Sequence, residues 1–208
     1  MAIVTVDRGD VSEIGLSDTE DSNPSDHLYV EASPLRSGQY ELHETPVGMM
    51  ADLVEQVVRV EGPVHIDEVI ARLRTAWGLL RAGARIEAAV EQGAGLALSR
   101  GRITRDGAFL SSPGHDPFPR NRSATLSPGL RKLEMISPRE LAVGAVHIVT
   151  TNFGATEDEI VVAVSRMLGF KATSTQLRKL ISSTIKDLLD SSTLRMEDKM
   201  IVAATLRT

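Results

Sequence analysis

The sequence predicts a mainly α, α+β chain that builds one small unit twice, each unit being three helices followed by a β-hairpin. Three observations predict it. First, a shift of 91 residues, the step from Asp67 to Asp158, lays 62–110 onto 153–201 without a gap. Under that shift Asp67, Glu68, Gly78 and Leu98 meet identical residues at Asp158, Glu159, Gly169 and Leu189. The apolar register is kept more widely: Val69, Ile70 and Leu73 fall on Ile160, Val161 and Val164, and Ile86, Ala89 and Val90 fall on Leu177, Leu180 and Ile181. Second, the stretch 111–129 is dense in Pro, Gly and Ser and separates two regular halves. Third, each half runs through three apolar stripes of helical period and then two short apolar runs around a turn.

In the first half the helices are expected from about Pro46 to Val60, Ile66 to Trp77 and Gly83 to Leu98, with a hairpin in "GRITRDGAFL". Asp106-Gly107 suits a two-residue primed turn, because glycine tolerates the positive φ such a turn needs. Gly93 and Gly95 each cost about 1 kcal/mol relative to alanine inside a helix, so the third helix is expected to fray or bend there. In the second half Ser137-Pro138-Arg139-Glu140 carries the N-cap, the N1 proline and the N3 carboxylate of a helix start, and the helix should reach about Thr150. Thr156 with Glu159 forms a second capping box, and Gly169 is the expected stop. Thr173 with Gln176 marks the third start, and Leu177, Leu180, Ile181, Thr184, Ile185 and Leu188 make one buried helix face. The runs around Glu197-Asp198 form the last hairpin.

Three helices and a two-stranded ribbon, in that order, are the succession of a winged helix, so the expected organisation is two winged-helix domains in tandem. The expected boundaries are an acidic, largely irregular segment over 1–44 with an edge strand at 3–6, a first domain over 45–111, a linker over 112–136 and a second domain over 137–208. In helix-turn-helix folds the third helix of the unit enters the major groove of DNA.

Composition bounds the function. With 208 residues and 42% apolar side chains the chain can bury real cores. It has no cysteine, which excludes disulfides and thiolate metal sites and suits the cytoplasm. The opening "MAIVTVDRGD" is too short an apolar run for a signal peptide, and no run of apolar residues is long enough to span a membrane. The formal net charge of −5 is unevenly spread: residues 1–48 hold ten acids against Arg8 and Arg36, which leaves the remainder net positive. Aromatic residues, at 3%, are too few for a base-stacking single-strand platform.

At "EGPVHIDEVIARLRTAWGLLRAGARIEAAV", "LEMISPREL" and "NFGATEDEIVVAVSRMLGFKATSTQLRKLI" the sequence resembles the C-terminal domain of unknown function in large bacterial proteins that combine a superfamily 1 helicase with a nuclease resembling very-short-patch-repair endonucleases. The likeness runs from about Tyr29, through "YELHETP", to the end. Its first glycine-led motif closes on Arg85-Ile86, whereas the second has Gln176-Leu177 there. The chain itself carries no Gly-x-x-x-x-Gly-Lys-Ser/Thr phosphate loop and no paired acidic nuclease signature. The resemblance therefore implies a non-enzymatic accessory module, without cofactor, serving a helicase or nuclease protein or domain.

The candidate contact residues for duplex DNA lie mainly in the second half. Thr175, Arg178, Lys179, Ser182 and Lys186, with Ser183, share the outward face of its third helix, and cations with hydroxyls there suit phosphate contact. Lys171, Thr173 and Ser174 precede a helix N-terminus whose free N–H groups favour phosphate, and Arg195 lies on the following hairpin. In the first half the matching face is Ala84, Glu87, Ala88, Glu91 and Gln92, whose acids repel phosphate. Only Arg81 and Arg85 at the helix start and Arg100, Arg102 and Arg105 on the hairpin suit backbone contact, so this half is expected to face protein instead. A protein-interaction module is accordingly the competing reading. Trp77 is expected in the core, the five histidines are too scattered for a metal site, and the acids Asp67-Glu68 and Glu157-Asp158-Glu159 read as helix-start charges complementing the dipole.

Overall fold

The computed structural model describes residues 27–35, 40–115 and 117–204. The expected edge strand at 3–6, most of the acidic lead and Asp116 lie outside them. The first half contains α1 (Val47–Glu61), β1 (Val64–His65), α2 (Ile66–Ala76), α3 (Ala84–Ser99), β2 (Thr104–Asp106) and β3 (Phe109–Ser111). The second contains α4 (Pro138–Thr151), α5 (Glu157–Met167), α6 (Thr175–Asp190), β4 (Leu194–Glu197) and β5 (Met200–Ala203). Over the described residues the chain is mainly helical, α+β, with two small antiparallel sheets.

The two halves repeat one another in backbone detail. The bounds of α2 and α3, moved by the same shift of 91 residues, become those of α5 and α6. Strand β1, unforeseen because two residues show no alternation, pairs with β3 so that Val64 faces Leu110. Its counterpart in the second half is the bridge between Ala155 and Ile201. Helices α2 and α5 end alike: Gly78 and Gly169 take φ of 68° and 87°, where glycine carries no Cβ penalty. The next N–H in each, of Leu79 and Phe170, reaches back to the carbonyls of Arg74 and Ser165 at 3.0 Å, closing a Schellman-type cap.

Several local expectations shift by a residue. The N-cap of α6 is Ser174, whose side chain accepts from Leu177 N, and not Thr173. The first hairpin turns on Gly107-Ala108, because Asp106 pairs with Phe109, and Gly107 takes φ 56°. The second turns on Asp198-Lys199, both at positive φ, the geometry that matches strand twist. Helix α3 runs unbroken through Gly93 and Gly95. The reason at Gly93 is packing: a Cβ there would stand 2.4 Å from Met50 Cγ, so the glycine lets α1 and α3 approach. At α5 both halves of the Thr156–Glu159 capping box form, whereas at α2 the His65 ring takes over, Nδ1 accepting from Asp67 N at 3.2 Å.

Two apolar cores result. One gathers α1, α2, α3 and the three-stranded sheet around Met50, Leu53, Val57, Leu73 and Leu110; the other gathers α4, α5, α6 and the β4–β5 hairpin around Leu141, Ile160, Leu177 and Ile181. Trp77 belongs to the first, 7% exposed, with Nε1 donating to Tyr40 O. The segment between the halves is irregular, with single 3-10 turns at Pro128–Arg131 and Leu133–Met135, yet it is packed. Arg122 N donates to Leu168 O at 3.0 Å, at the end of α5. A Cβ on Gly144 of α4 would meet Pro119 Cγ at 2.7 Å, and one on Gly169 would meet Asn121 Oδ1 at 2.2 Å. The chain therefore threads its connector against the second half.

That connector carries an ionic seam. Arg120 donates to the carbonyls of Glu61 and Pro63, at the end of α1, at 2.6 and 2.8 Å, and also binds Glu140 on α4. Arg122 binds the same carboxylate, and both guanidinium groups lie over the Tyr29 ring, 4.6 and 5.0 Å from its centroid, while the Tyr29 hydroxyl donates to Glu61. Glu140 thus does not cap its own helix, and Ser137 makes no side-chain cap. The carboxylate is fully buried and used by arginines far off in sequence. Around Arg72 a second cluster gathers Glu31, Glu61 and Glu68. Glu68 is therefore a buried partner of Arg72 and not simply an acid at a helix start.

Candidate nucleic-acid interface

Helix α6 buries Leu177, Ile181, Thr184 and Ile185 and turns its other face outward because the apolar positions recur with helical period. On that outer face Thr175, Arg178, Lys179, Ser183 and Lys186 are exposed and Ser182 is half-buried. Lys171 is exposed in the turn before the helix, Thr173 is half-buried, and Ser174 is spent as the cap. Hairpin β4–β5 packs on α6 and holds Arg195 exposed, paired with Glu197 at 2.8 Å.

These cations are not equally free. Arg178 reaches Asp158 at the start of α5, and Ser182 reaches Glu157 beside it. Lys186 stands 4.0 Å from Asp190, an exposed contact at the limit of ion pairing. Lys171 and Lys179 form no ion pair among the described residues. Only Glu159 of the three acids opening α5 serves the cap; hydrogen bonds from the Thr156 backbone and hydroxyl hold its carboxyl below the usual range. The reading of all three as helix-start charges misses that two of them face α6.

The first half presents different chemistry at equivalent places. Glu87 and Glu91 stand where α6 has Arg178 and Ser182. Arg105 grips Glu91 through both terminal nitrogens, at 2.7 and 3.1 Å, and those hydrogen bonds hold the Glu91 carboxyl low. Arg102 is half-buried against Asp52 and Glu55 of α1. Both hairpin arginines are thus engaged within their own half. Arg81, Arg85 and Arg100 remain exposed, without ion pairs among the described residues. Nearby, Leu80 is 91% exposed, and at the end of α4 Phe153 is 94% exposed with φ 56°.

Among the described residues no cluster of His, Asp or Glu could hold a metal ion, and no helix is long and apolar enough to cross a membrane. The groups that sequence reasoning missed are the buried Tyr29, Glu61, Arg122 and Glu140 and the half-buried Arg72 and Arg120. Their one sequence signal is the alternation Arg120-x-Arg122 inside "HDPFPRNR", which composition alone assigns to a loose loop.

A family model described as a protein of unknown function (DUF3320) matches residues 40–88, from Tyr40 through α1, β1 and α2 into the first turns of α3. No curated protein and no solved structure matches the chain.

Proposed function

We propose that the chain is a tandem pair of winged-helix units forming a non-catalytic accessory module that binds duplex DNA through the second unit. Helix α6 lies along the duplex with Arg178, Lys179, Ser182 and Lys186 toward phosphates, Lys171 and the helix start flank it, and Arg195 of the hairpin adds a further contact. Arg81, Arg85 and Arg100 of the first unit supply auxiliary backbone contacts; Arg102 and Arg105, held by their own acids, supply less. The observation that carries this reading is the outward α6 face, where three exposed cations and three hydroxyls share one stripe opposite a buried face of Leu177, Ile181, Thr184 and Ile185. The sequence resemblance to helicase and nuclease proteins supports a role beside such machinery.

The test is titration of duplex by the full chain at rising salt. Phosphate contacts give a log-log slope of about −0.9 per phosphate neutralised, and Arg178→Glu with Lys179→Glu weakens duplex binding and makes the slope shallower by about two contacts while the fold is retained in thermal unfolding. A duplex affinity indifferent to the double substitution removes the assignment.

A second reading is favoured by two observations on the molecule. The α3 face carries Glu87 and Glu91, and Leu80 and Phe153 stand almost fully in solvent, which suits a protein-binding module better than a phosphate contact. Failure to bind duplex at low salt supports that reading.

A further inference from the structure

We infer that Glu157 and Asp158, in the first turn of α5, are specificity determinants of the α6 face: they occupy its Arg178 and Ser182 as phosphates would, so the face admits a polyanion and excludes isolated anions. The inference rests on the reading of α6 as a phosphate-contacting helix. Its geometry is independent of that reading.

Asp158 Oδ1 accepts from Arg178 Nη1, and Glu157 Oε1 accepts from Ser182 Oγ. Both acids come from a neighbouring helix and not from α6, so they oppose its face across a helix–helix contact. Helix α5 does not need them for its start. Thr156 and Glu159 already satisfy each other there, with Thr156 N and Oγ1 both 2.8 Å from Glu159 Oε2. The first half shows the pairing is matched to the cations. Glu87 replaces Arg178 and Glu91 replaces Ser182, the residue equivalent to Glu157 is Ile66, and Asp67 turns to His65 at 3.6 Å instead.

The consequence follows from counting contacts. A single phosphate arriving at Arg178 displaces Asp158 and meets Glu157, so it exchanges one anion for another beside a second negative charge. A duplex brings further phosphates within reach of Lys179, Lys171 and Lys186, of which the first two have no ion partner among the described residues. That ligand gains several contacts at once that the protein does not already make, whereas a single phosphate gains at most one. Arg178 is 44% exposed and Asp158 82% exposed, so the exchange takes place in water and is open to screening.

The experiment compares the full chain with its Glu157→Gln, Asp158→Asn variant against a 20-base-pair duplex and against inorganic phosphate, at low and raised salt. Neutralising both acids is expected to tighten duplex binding about three- to tenfold at low salt, the range that one exposed ion pair and a second nearby negative charge supply, with the gain shrinking as salt rises. Phosphate alone is expected to bind the variant detectably and the parent not. The retained Thr156–Glu159 box keeps the unfolding temperature close to the parent's. Unchanged or weakened duplex binding by the variant overturns the inference; weakening means the acids orient Arg178 instead. The two failures separate cleanly. If Arg178→Glu with Lys179→Glu weakens binding but the neutralised variant matches the parent, only this inference falls. If neither parent nor neutralised variant binds duplex, the function reading falls and carries this inference with it.

Discussion

Arg122 meets Glu140 fork to fork, Nη1 3.0 Å from Oε1 and Nη2 2.7 Å from Oε2, and the two side chains are 1% and 0% exposed. Arg120 shares the same carboxylate while holding the last carbonyls of α1. One buried anion thereby ties the connector, the end of α1 in the first half and the first helix of the second.

Glu140→Gln is expected to destabilise the chain by about 3–5 kcal/mol, because it leaves the buried Arg122 and half-buried Arg120 guanidinium groups short of a countercharge while changing almost no volume. Urea unfolding of the full chain measures it. Replacing Arg122 and Glu140 together by methionine and leucine should recover much of the loss, since an apolar pair needs no desolvation. A loss below about 1 kcal/mol for Glu140→Gln means the seam carries little.

Acid should open the same seam. Burial alone would push the Glu140 carboxyl up, but Arg120 and Arg122 outweigh it and hold the group below the ordinary carboxylate range. A carboxyl with a lowered folded pKa contributes fully above its unfolded value of about 4.3, and the contribution is lost as pH falls through the folded value. Glu68 acts in the opposite sense: burial raises its pKa, so protonation there favours the fold as pH descends through that raised value. The urea midpoint of the full chain is therefore expected to fall steeply only below about pH 4. In the Glu140→Gln variant that acid limb should be shallower, and an unaltered limb contradicts the assignment.

Two glycines of α3 should respond to alanine with opposite signs. A Cβ on Gly95 meets nothing within 4 Å, and removing its backbone freedom should stabilise by about 0.5–1 kcal/mol. A Cβ on Gly93 stands 2.4 Å from Met50 Cγ and 3.0 Å from its backbone carbon, so overpacking of about 1–3 kcal/mol outweighs the propensity gain. Thermal unfolding of the two variants checks the pair. Stabilisation by both would show that α1 and α3 do not approach as closely as the structure has them.

Most of the architecture was legible in the sequence because its signals are local. Apolar spacing, the Thr156–Glu159 box and the Gly169 stop place α2, α3, α5 and α6 within about two residues of their ends. What escaped depends on partners distant in the chain. Strand β1 exists only through its pairing with β3, and Glu140 looks like a capping residue until Arg120 and Arg122 are brought to it. Proline, glycine and serine made the connector read as a separator, yet its backbone and arginines are packed. At the candidate interface the outward stripe of α6 followed from periodicity, whereas the acids that share it come from α5 and appear only once the two helices cross.

The most direct test of the central claim is an amide chemical-shift titration of the full chain with a short duplex at low salt. Perturbations concentrated on 171–186 and on the β4–β5 hairpin are expected, with weaker ones at Arg81, Arg85 and Arg100 and with Glu87 and Glu91 on the α3 face unmoved. Perturbations centred on Leu80, the α3 face or Phe153, or none at all, would contradict it.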